Sequence, residues 1–336
     1  MKVRKLFGVI GLSLVSVAGV QAAVLSVTYQ SPPDAPGPRQ GVERTTRGHP
    51  TATHARRQVT WFRDTLHRWK DEYPGRVPSV VVSESAGTSC ACVPETPTSK
   101  KIIFVGDSLV TGVGCTETPM LPRAVAKALA EHWKADVAWS AVGLTGGDVR
   151  TLHAELVPLV RDEVLAAKRD NQKIEMVVII CGVNDWKRVL SFRTAAMFRR
   201  DLAELVDSVR DVVGPDTMIV LPALPGVNVA PRFREPLRTV FTWISDTWDS
   251  EKRTVSEQFS RVKFIARPSG WDFEGGVRRY FSNLDGIHPS DFGYNQWGAY
   301  IAEQVIGGSS SGKVPWDTPD EDSRLFPQFD QFASSR

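Results

Sequence analysis

Short apolar runs typical of strands alternate with amphipathic stretches typical of helices between residues 100 and 306. Because successive parallel strands need a crossover connection, this alternation predicts an α/β fold, in which helices cover both faces of a parallel sheet. The predicted strands are Ile102–Val105, Val137–Val142, Met176–Cys181, Met218–Leu221 and Val262–Ile265. The predicted helices are Pro119–Trp133, Gly147–Arg169, Phe192–Val213, Pro236–Phe259 and Ser290–Ile306.

Residues 1–22 have the pattern of a secretory signal peptide. Three basic residues precede an apolar run from Leu6 to Val20, and small residues at Ala22 and Ala23 suit cleavage after either one. The run is short for a membrane span, which needs about 20 apolar residues. We therefore expect a secreted or extracytoplasmic protein; retention as a membrane anchor by residues 6–23 is the alternative.

The segment 23–99 reads as a linker that precedes the main domain at 100–307. From Val24 to Pro50 it is rich in Pro, Gly, Arg and Thr without an apolar period, so we assign no structure there. Residues 55–73 form a predicted helix that combines aromatic and basic side chains. This helix either docks on the following domain or contacts a membrane surface or a glycan. Residues 308–336 are predicted to be a disordered tail.

Charge and cysteine content exclude some classes of function. Three of the 41 basic residues lie in the leader, and the remaining 38 equal the 38 acidic residues, so no nucleic-acid partner is expected. The four cysteines, an even number that an oxidising compartment could pair, are Cys90, Cys92, Cys115 and Cys181. Cys90 and Cys92 are too close for the usual zinc knuckle, and no metal site is predicted. Cys181 ends a predicted buried strand and is expected to be a free core thiol.

Four polar clusters follow predicted strands, at the edge of the sheet where α/β proteins bind ligands. Ser108 ends the sequence Gly-Asp-Ser, and Gly146 lies in a loop whose backbone N–H groups could receive an anion. Asn184 carries an amide that can donate to an oxyanion. Asp285 and His288 come directly before the closing helix. Taken singly, the first three clusters are also ordinary turn or helix-cap chemistry.

The last cluster has the spacing of an acid and base pair. Pro289 keeps His288 out of helical conformation, so the imidazole can project from a loop, and Ser290 can cap the helix that follows. Asp285, three residues before the histidine, can bond the other ring nitrogen. Such a bond would fix the tautomer and stabilise an imidazolium, whereas a surface or core histidine is the alternative interpretation.

Together and in this order, the clusters resemble the four marker blocks of the SGNH hydrolase family, also called the GDSL esterase/lipase family. The matching residues are Gly-Asp-Ser108, Thr-Gly146-Gly-Asp, Gly-Val-Asn184-Asp and Asp285-Gly-Ile-His288. The resemblance spans residues 101–306. It implies a three-layer α/β/α sandwich around a central parallel sheet, which is an SGNH or flavodoxin-like architecture.

The resemblance also implies roles for these residues and a secreted ester hydrolase. Ser108 would be the nucleophile, His288 the general base and Asp285 the group that orients it. The oxyanion hole would comprise the N–H groups of Ser108 and Gly146 and the side-chain amide of Asn184. No metal or organic cofactor is required by such a mechanism. An α/β-hydrolase would instead carry Gly-x-Ser-x-Gly, and Val110 stands where its second glycine would be.

The substrate and the partners are less constrained by the sequence. The sequence is compatible with a lipid, a short ester or an acylated glycan as the substrate. A monomer is expected. Specificity is predicted to reside in the loops Pro225–Pro236 and Arg267–Asn283. Their arginine and aromatic residues, which could line the substrate or simply be solvated, are Arg232, Arg234, Arg267, Trp271, Phe273, Arg278, Arg279 and Tyr280. The rival from another class is a non-catalytic secreted protein that binds a glycan or an anionic surface through residues 55–73.

Overall fold

A computed structural model of the chain describes residues 17–25, 28–45, 99–186, 192–224, 226, 229–268 and 276–307. The strands are β1 (Gln40–Glu43), β2 (Ser99–Gly106), β3 (Val137–Gly143), β4 (Gln172–Ile180), β5 (Met218–Pro222) and β6 (Val262–Ile265). The helices are α1 (residues 17–25), α2 (Ser108–Thr111), α3 (Met120–Trp133), α4 (Val149–Arg169), α5 (Val183–Trp186), α6 (Ala195–Val213), α7 (Leu237–Gln258) and α8 (Asp291–Ile306).

The strands form one six-stranded sheet in the order β1-β3-β2-β4-β5-β6. β2 lies near its middle and pairs in parallel with β3 and β4, while β5 and β6 extend the parallel part. Residues Ile102–Val105 of β2 are completely buried, which explains why this strand reads as a continuous apolar run. Ser108, which follows β2 directly, therefore lies near the centre of the carboxyl edge of the sheet.

Two groups of helices cover the sheet and produce the predicted three-layer α/β/α sandwich. α3 packs against α8 in one group, whereas α6 packs against both α4 and α7 in the other. α8 buries Tyr294, Trp297 and Ile301 toward α3 and the core. The five helices predicted from the apolar period of the sequence are thus present in the structure.

Side-chain caps decide where several helices begin. Asp148 accepts from the N–H of Thr151 at 3.0 Å, so α4 begins at Val149. Thr194 caps α6 in the same way, and that helix begins three residues later than the sequence predicted. The predicted cap at Ser290 is confirmed, since its Oγ accepts from the N–H of Gly293 at 3.2 Å.

The prediction of no structure between Val24 and Pro50 is wrong, because β1 lies in that segment. Residues 40–43 pair in antiparallel register with β3, from Gln40 opposite Ser140 to Glu43 opposite Val137. The one apolar side chain of β1, Val42, is exposed, so the strand is defined by its backbone hydrogen bonds rather than by burial. α1, at residues 17–25, also overlaps the end of the predicted leader and the start of the linker.

Several predictions fall on other parts of the chain. The helix at 55–73, the cysteines Cys90 and Cys92, and the tail at 308–336 lie outside the described residues. Within the described ranges, Cys115 and Cys181 are free and buried, which confirms the prediction for Cys181. The same ranges contain no helix both long and apolar enough to cross a membrane, and no cluster of three or more potential metal-ligating side chains.

Candidate active site

Ser108 is positioned by a tight turn between β2 and α2. The turn brings Gly106 against β4, where a Cβ atom would lie 2.2 Å from the carbonyl oxygen of Ile180, so glycine is required there. Asp107 then caps α2, because its Oδ1 accepts from the N–H of Leu109 at 3.1 Å. The Ser108 side chain is held at the carboxyl edge and is largely buried.

His288 and Asp285 lie beside Ser108 in the fold, although they come from the C-terminal end of the domain sequence. The Nε2 atom of His288 lies 2.9 Å from Oγ of Ser108, and its Nδ1 lies 2.5 Å from Oδ2 of Asp285. A backbone bridge between Phe281 and Pro289 closes the loop that carries both residues. The three predicted residues therefore form one continuous chain of hydrogen bonds.

The carboxylate of Asp285 determines the tautomer of His288. Burial would raise the pKa of Asp285, but hydrogen bonds from His288 and from the N–H groups of Ile287 and His288 outweigh it, so that pKa is lowered. An ionised carboxylate can only accept, so Nδ1 of His288 carries the proton. In the neutral imidazole, Nε2 then has a lone pair that faces Ser108 and can accept the hydroxyl proton.

Asn184 joins three loops at this edge of the sheet. Its Nδ2 donates to the carbonyl oxygen of Gly147 at 3.0 Å and to Oδ2 of Asp107 at 3.2 Å. These contacts place the amide beside the residues that follow Gly146 and precede Ser108. Gly146 itself has a φ of +82°, and a Cβ there would meet no atom within 4 Å, so this loop is open to a ligand. Donation to a substrate oxygen requires Asn184 to exchange one of its present acceptors.

A buried ion pair supports the loop that carries Asn184. Asp185 is fully buried, and its Oδ1 accepts from Nη2 of Arg193 at 2.7 Å while its Oδ2 accepts from the N–H of Val149 at 3.1 Å. Burial raises the pKa of Asp185, and the hydrogen bonds and charge of Arg193 act against that rise. Nothing in the sequence pointed to Arg193 as the partner of Asp185.

The N-terminal segment reaches the site, which the sequence interpretation missed. The hydroxyl of Tyr29 donates to Oδ2 of Asp285 at 3.0 Å. Asp34 accepts from the Thr111 hydroxyl at 2.9 Å and also from the hydroxyl of Thr145. Because Val24–Pro50 was read as linker, no pattern in the sequence directed attention to these residues.

The arginine and aromatic residues proposed to line the substrate divide into several groups. Arg267 pairs with Asp246 at 3.0 Å and with Asp249 at 2.8 Å, so its charge is already matched by α7. Tyr280 is buried, and the Arg279 guanidinium stacks 3.7 Å from the centre of the Phe292 ring. Arg232 and Arg234 are exposed, and the N–H of Arg232 bonds the carbonyl of Gly286 beside Asp285 at 3.1 Å. Arg278 lies in a 3₁₀ turn, whereas Trp271 and Phe273 fall outside the described residues.

Residues 104–296 match the model of the GDSL-like lipase/acylhydrolase family. Because the match covers more than half of the chain, the chain belongs to this family, the SGNH hydrolases, and it is a carboxylic ester hydrolase. No curated protein sequence matches the chain at a significant level.

Solved structures of related proteins share limited identity with the chain. The lipase Lip_vut3 from a goat rumen metagenome is 19% identical with a TM-score of 0.46, covering 62% of this chain and 98% of its own. The psychrotrophic esterase EstA from Pseudoalteromonas sp., solved with monoethylphosphonate as inhibitor, is 14% identical with a TM-score of 0.42, covering 62% and 97%. A lipolytic G-D-S-L family member from Veillonella parvula is 17% identical with a TM-score of 0.43, covering 62% and 100%.

Proposed function

We propose that the chain is a secreted serine ester hydrolase that works through Ser108, His288 and Asp285 and an acyl-enzyme intermediate. The observation that carries the proposal is the hydrogen-bond chain from Asp285 Oδ2 through His288 to Ser108 Oγ, with spacings of 2.5 and 2.9 Å. A serine hydroxyl beside a neutral imidazole, itself held by a carboxylate, is the arrangement that activates a serine nucleophile.

The reaction follows from the protonation states of these groups. Nε2 of His288 takes the Ser108 proton as Oγ attacks the ester carbonyl, and Asp285 stabilises the imidazolium that forms. The imidazolium then protonates the leaving alkoxide, which departs as the alcohol and leaves an acyl-serine. Water, deprotonated by the same histidine, attacks the acyl group, and the imidazolium returns that proton to Oγ of Ser108 as the acid is released.

The negative charge that develops on the carbonyl oxygen needs donors placed before the reaction. We propose the N–H groups of Ser108 and Gly146 and the amide of Asn184 for this role. The contact of Asn184 with the carbonyl of Gly147 supports it, because this contact brings the amide to the Gly146 loop. Donors held beside the developing charge stabilise an oxyanion, and Asn184 would exchange one of its present acceptors for the carbonyl oxygen.

Secretion rests on the pattern of residues 1–22, in which basic residues, an apolar run and small residues follow one another. The substrate class is an ester of a lipid, a short acid or an acylated glycan. No cofactor takes part in the proposed steps.

Single substitutions of Ser108 and His288 test the proposal. Ser108→Ala and His288→Ala should each lower kcat for p-nitrophenyl acetate by at least about 10³-fold. Ser108→Ala should also abolish labelling by a fluorophosphonate probe, which reacts with an activated serine.

Ser140→Ala is the matched control. Ser140 is a buried serine of β3, and within the described part of the chain its Oγ has no hydrogen-bond partner, so its loss should leave activity unchanged. A parent protein that hydrolyses no ester and takes up no label would refute the proposed function and favour a binding protein on this fold.

A further inference from the structure

Tyr29 contacts the acid and base pair from outside the part of the chain that matches the family. Its hydroxyl oxygen lies 3.0 Å from Oδ2 of Asp285 and 3.4 Å from Nδ1 of His288. Nδ1 carries a proton of its own, so the tyrosine hydroxyl donates to the carboxylate rather than to the ring. Burial, and next the charge of Asp285, raise the pKa of Tyr29, so this hydroxyl keeps its proton.

The segment that carries Tyr29 is attached to the domain on both sides of it. On the N-terminal side, Leu25 of α1, which follows both predicted cleavage sites, packs against the hydrophobic core. On the C-terminal side, Asp34 bonds the hydroxyl of Thr111, which is in α2, and β1 pairs with β3. Contacts on both sides of Tyr29 therefore hold its hydroxyl beside Asp285.

Asp285 has two oxygens with different support. Oδ1 accepts from the backbone N–H groups of Ile287 and His288 at 2.9 and 3.1 Å, which are part of the same loop. Oδ2 accepts from the imidazole of His288 and from Tyr29, and Tyr29 is the partner that comes from a distant part of the chain. Without the tyrosine hydroxyl, Oδ2 would be held by the very ring that it must orient.

We propose that Tyr29 is a positioning residue, which fixes Oδ2 of Asp285 and thereby the orientation of His288 toward Ser108. The inference rests on the proposed function, because it assigns to Tyr29 a part in the same hydrogen-bond chain. It makes the N-terminal segment 28–45 a component of the active site. The hydroxyl lies on the far side of the imidazole from Ser108, so it acts on the rate of the chemical step and not on substrate binding.

Replacement of Tyr29 by phenylalanine and by alanine separates positioning from packing. Tyr29→Phe keeps the ring and removes the hydroxyl, and it should lower kcat about tenfold, in line with the loss of one hydrogen bond to a charged group. KM should stay within about twofold of the parent, because ground-state binding is unaffected. Thr28→Val is the matched control, since among the described residues the Thr28 hydroxyl bonds only the local carbonyl of Val24, at 2.8 Å.

A spectroscopic measurement makes the test independent of turnover. In the Ser108→Ala background, the low-field proton resonance of the His288 Nδ1–H should shift and exchange faster with water when Tyr29→Phe is added. It should be unchanged by Thr28→Val. A parent that proves inactive refutes the proposed function, and this resonance still decides the role of Tyr29.

The inference is overturned if Tyr29→Phe matches the parent in kcat and in the Nδ1–H resonance while Tyr29→Ala alone loses activity. Tyr29 would then contribute only the packing of its ring. It is also overturned if Tyr29→Phe raises KM at constant kcat, because the residue would then bind substrate.

Discussion

Replacing Arg193 with leucine tests how the loop that carries Asn184 is supported. The Nε and Nη2 atoms of Arg193 donate to Oδ1 of Asp185 at 3.1 and 2.7 Å, and its Nη1 donates to Asp201. The side chains of Arg193, Asp185 and Asp201 are only 5%, 0% and 4% exposed, so water cannot take the place of the guanidinium. Leucine retains an apolar side chain in the site but removes the charge and all five donors.

The cost is expected to arise mainly at Asp185. Asp201 retains Arg150, whose Nε lies 2.8 Å from Oδ2, and Arg200, whose Nη2 lies 2.9 Å from Oδ1. Asp185 retains the backbone N–H of Val149 and loses its guanidinium. Removing one partner of a buried ion pair costs about 3–5 kcal/mol, because the remaining charge is left without compensation. We expect Arg193→Leu to lower the free energy of unfolding by this amount.

The loss of folding stability in Arg193→Leu should depend on pH, and the direction follows from the pKa of Asp185. Burial already raises the pKa of Asp185, and Arg193 opposes that rise. In Arg193→Leu the pKa of Asp185 in the folded state therefore moves further above that in the unfolded chain, and folding takes up a proton at pH values between the two. The loss of stability should be largest at high pH and should shrink as the pH falls through the folded-state pKa.

Urea unfolding followed by tryptophan fluorescence, at about pH 8 and about pH 5.5, measures both effects. Arg200→Ala is the control, since Arg200 pairs with the same Asp201 but is 60% exposed and should cost at most about 1 kcal/mol. Adding Asp185→Asn to Arg193→Leu should restore part of the loss, because it removes the uncompensated charge. The reasoning fails if Arg193→Leu costs no more than Arg200→Ala, or if its deficit grows as the pH falls.

Two further predictions concern the amide donor and the buried thiols. Asn184→Ala should lower kcat about 100-fold with a smaller change in KM, and a loss under about tenfold in ester hydrolysis assays would remove Asn184 from the oxyanion hole. Burial raises the pKa of Cys115 and of Cys181 to about 12. Iodoacetamide at about pH 8 should therefore leave both thiols intact in the folded protein and modify them in urea, as read by peptide mass mapping. Equal rates in the two states would contradict this assignment.

The centre of the sheet was predictable because strands such as β2 and β4 are buried on both faces over most of their length. β2 and β4 carry continuous apolar runs, such as Ile102–Val105, that polar loops interrupt sharply. The helices were found from their apolar period, and their first residues differed where a cap such as Thr194 set the start. The short helices α2 and α5 have too few residues for any period to be visible.

The four predicted clusters converge because of the topology of the sheet. Parallel strands end at one edge, so residues that follow different strands meet there although they are far apart in sequence. Ser108 and His288 are 180 positions apart and their side chains lie 2.9 Å from each other. Asn184 reaches the Gly147 carbonyl by the same rule. Motif order and strand ends together are therefore enough to propose this part of the site.

Tyr29 does not follow a parallel strand, so its place at the site could not be predicted from the topology. β1 joins the sheet at its edge through backbone pairing, and the sequence before it carries no apolar period that would fix its path. The segment 28–45 is held by polar contacts, such as that of Asp34 with Thr111, and by little apolar burial, since Val42 of β1 is 54% exposed. Side chains that act through isolated hydrogen bonds leave no periodic signal, so only a structure reveals them.

The two kinds of support around Asp285 explain the different sizes of effect that we expect. Within the described part of the chain Asp285 has four donors, and three of them, the N–H groups of Ile287 and His288 and the His288 ring, belong to its own loop, directly before the core helix α8. Tyr29 supplies the fourth from a segment with few buried apolar contacts, and such segments open at lower free energy than the core. When that segment opens, Asp285 keeps the two backbone hydrogen bonds to its Oδ1 and its hydrogen bond to the His288 ring. Loss of the Tyr29 hydroxyl should therefore slow the reaction about tenfold, whereas loss of Ser108 or His288 removes the reaction itself.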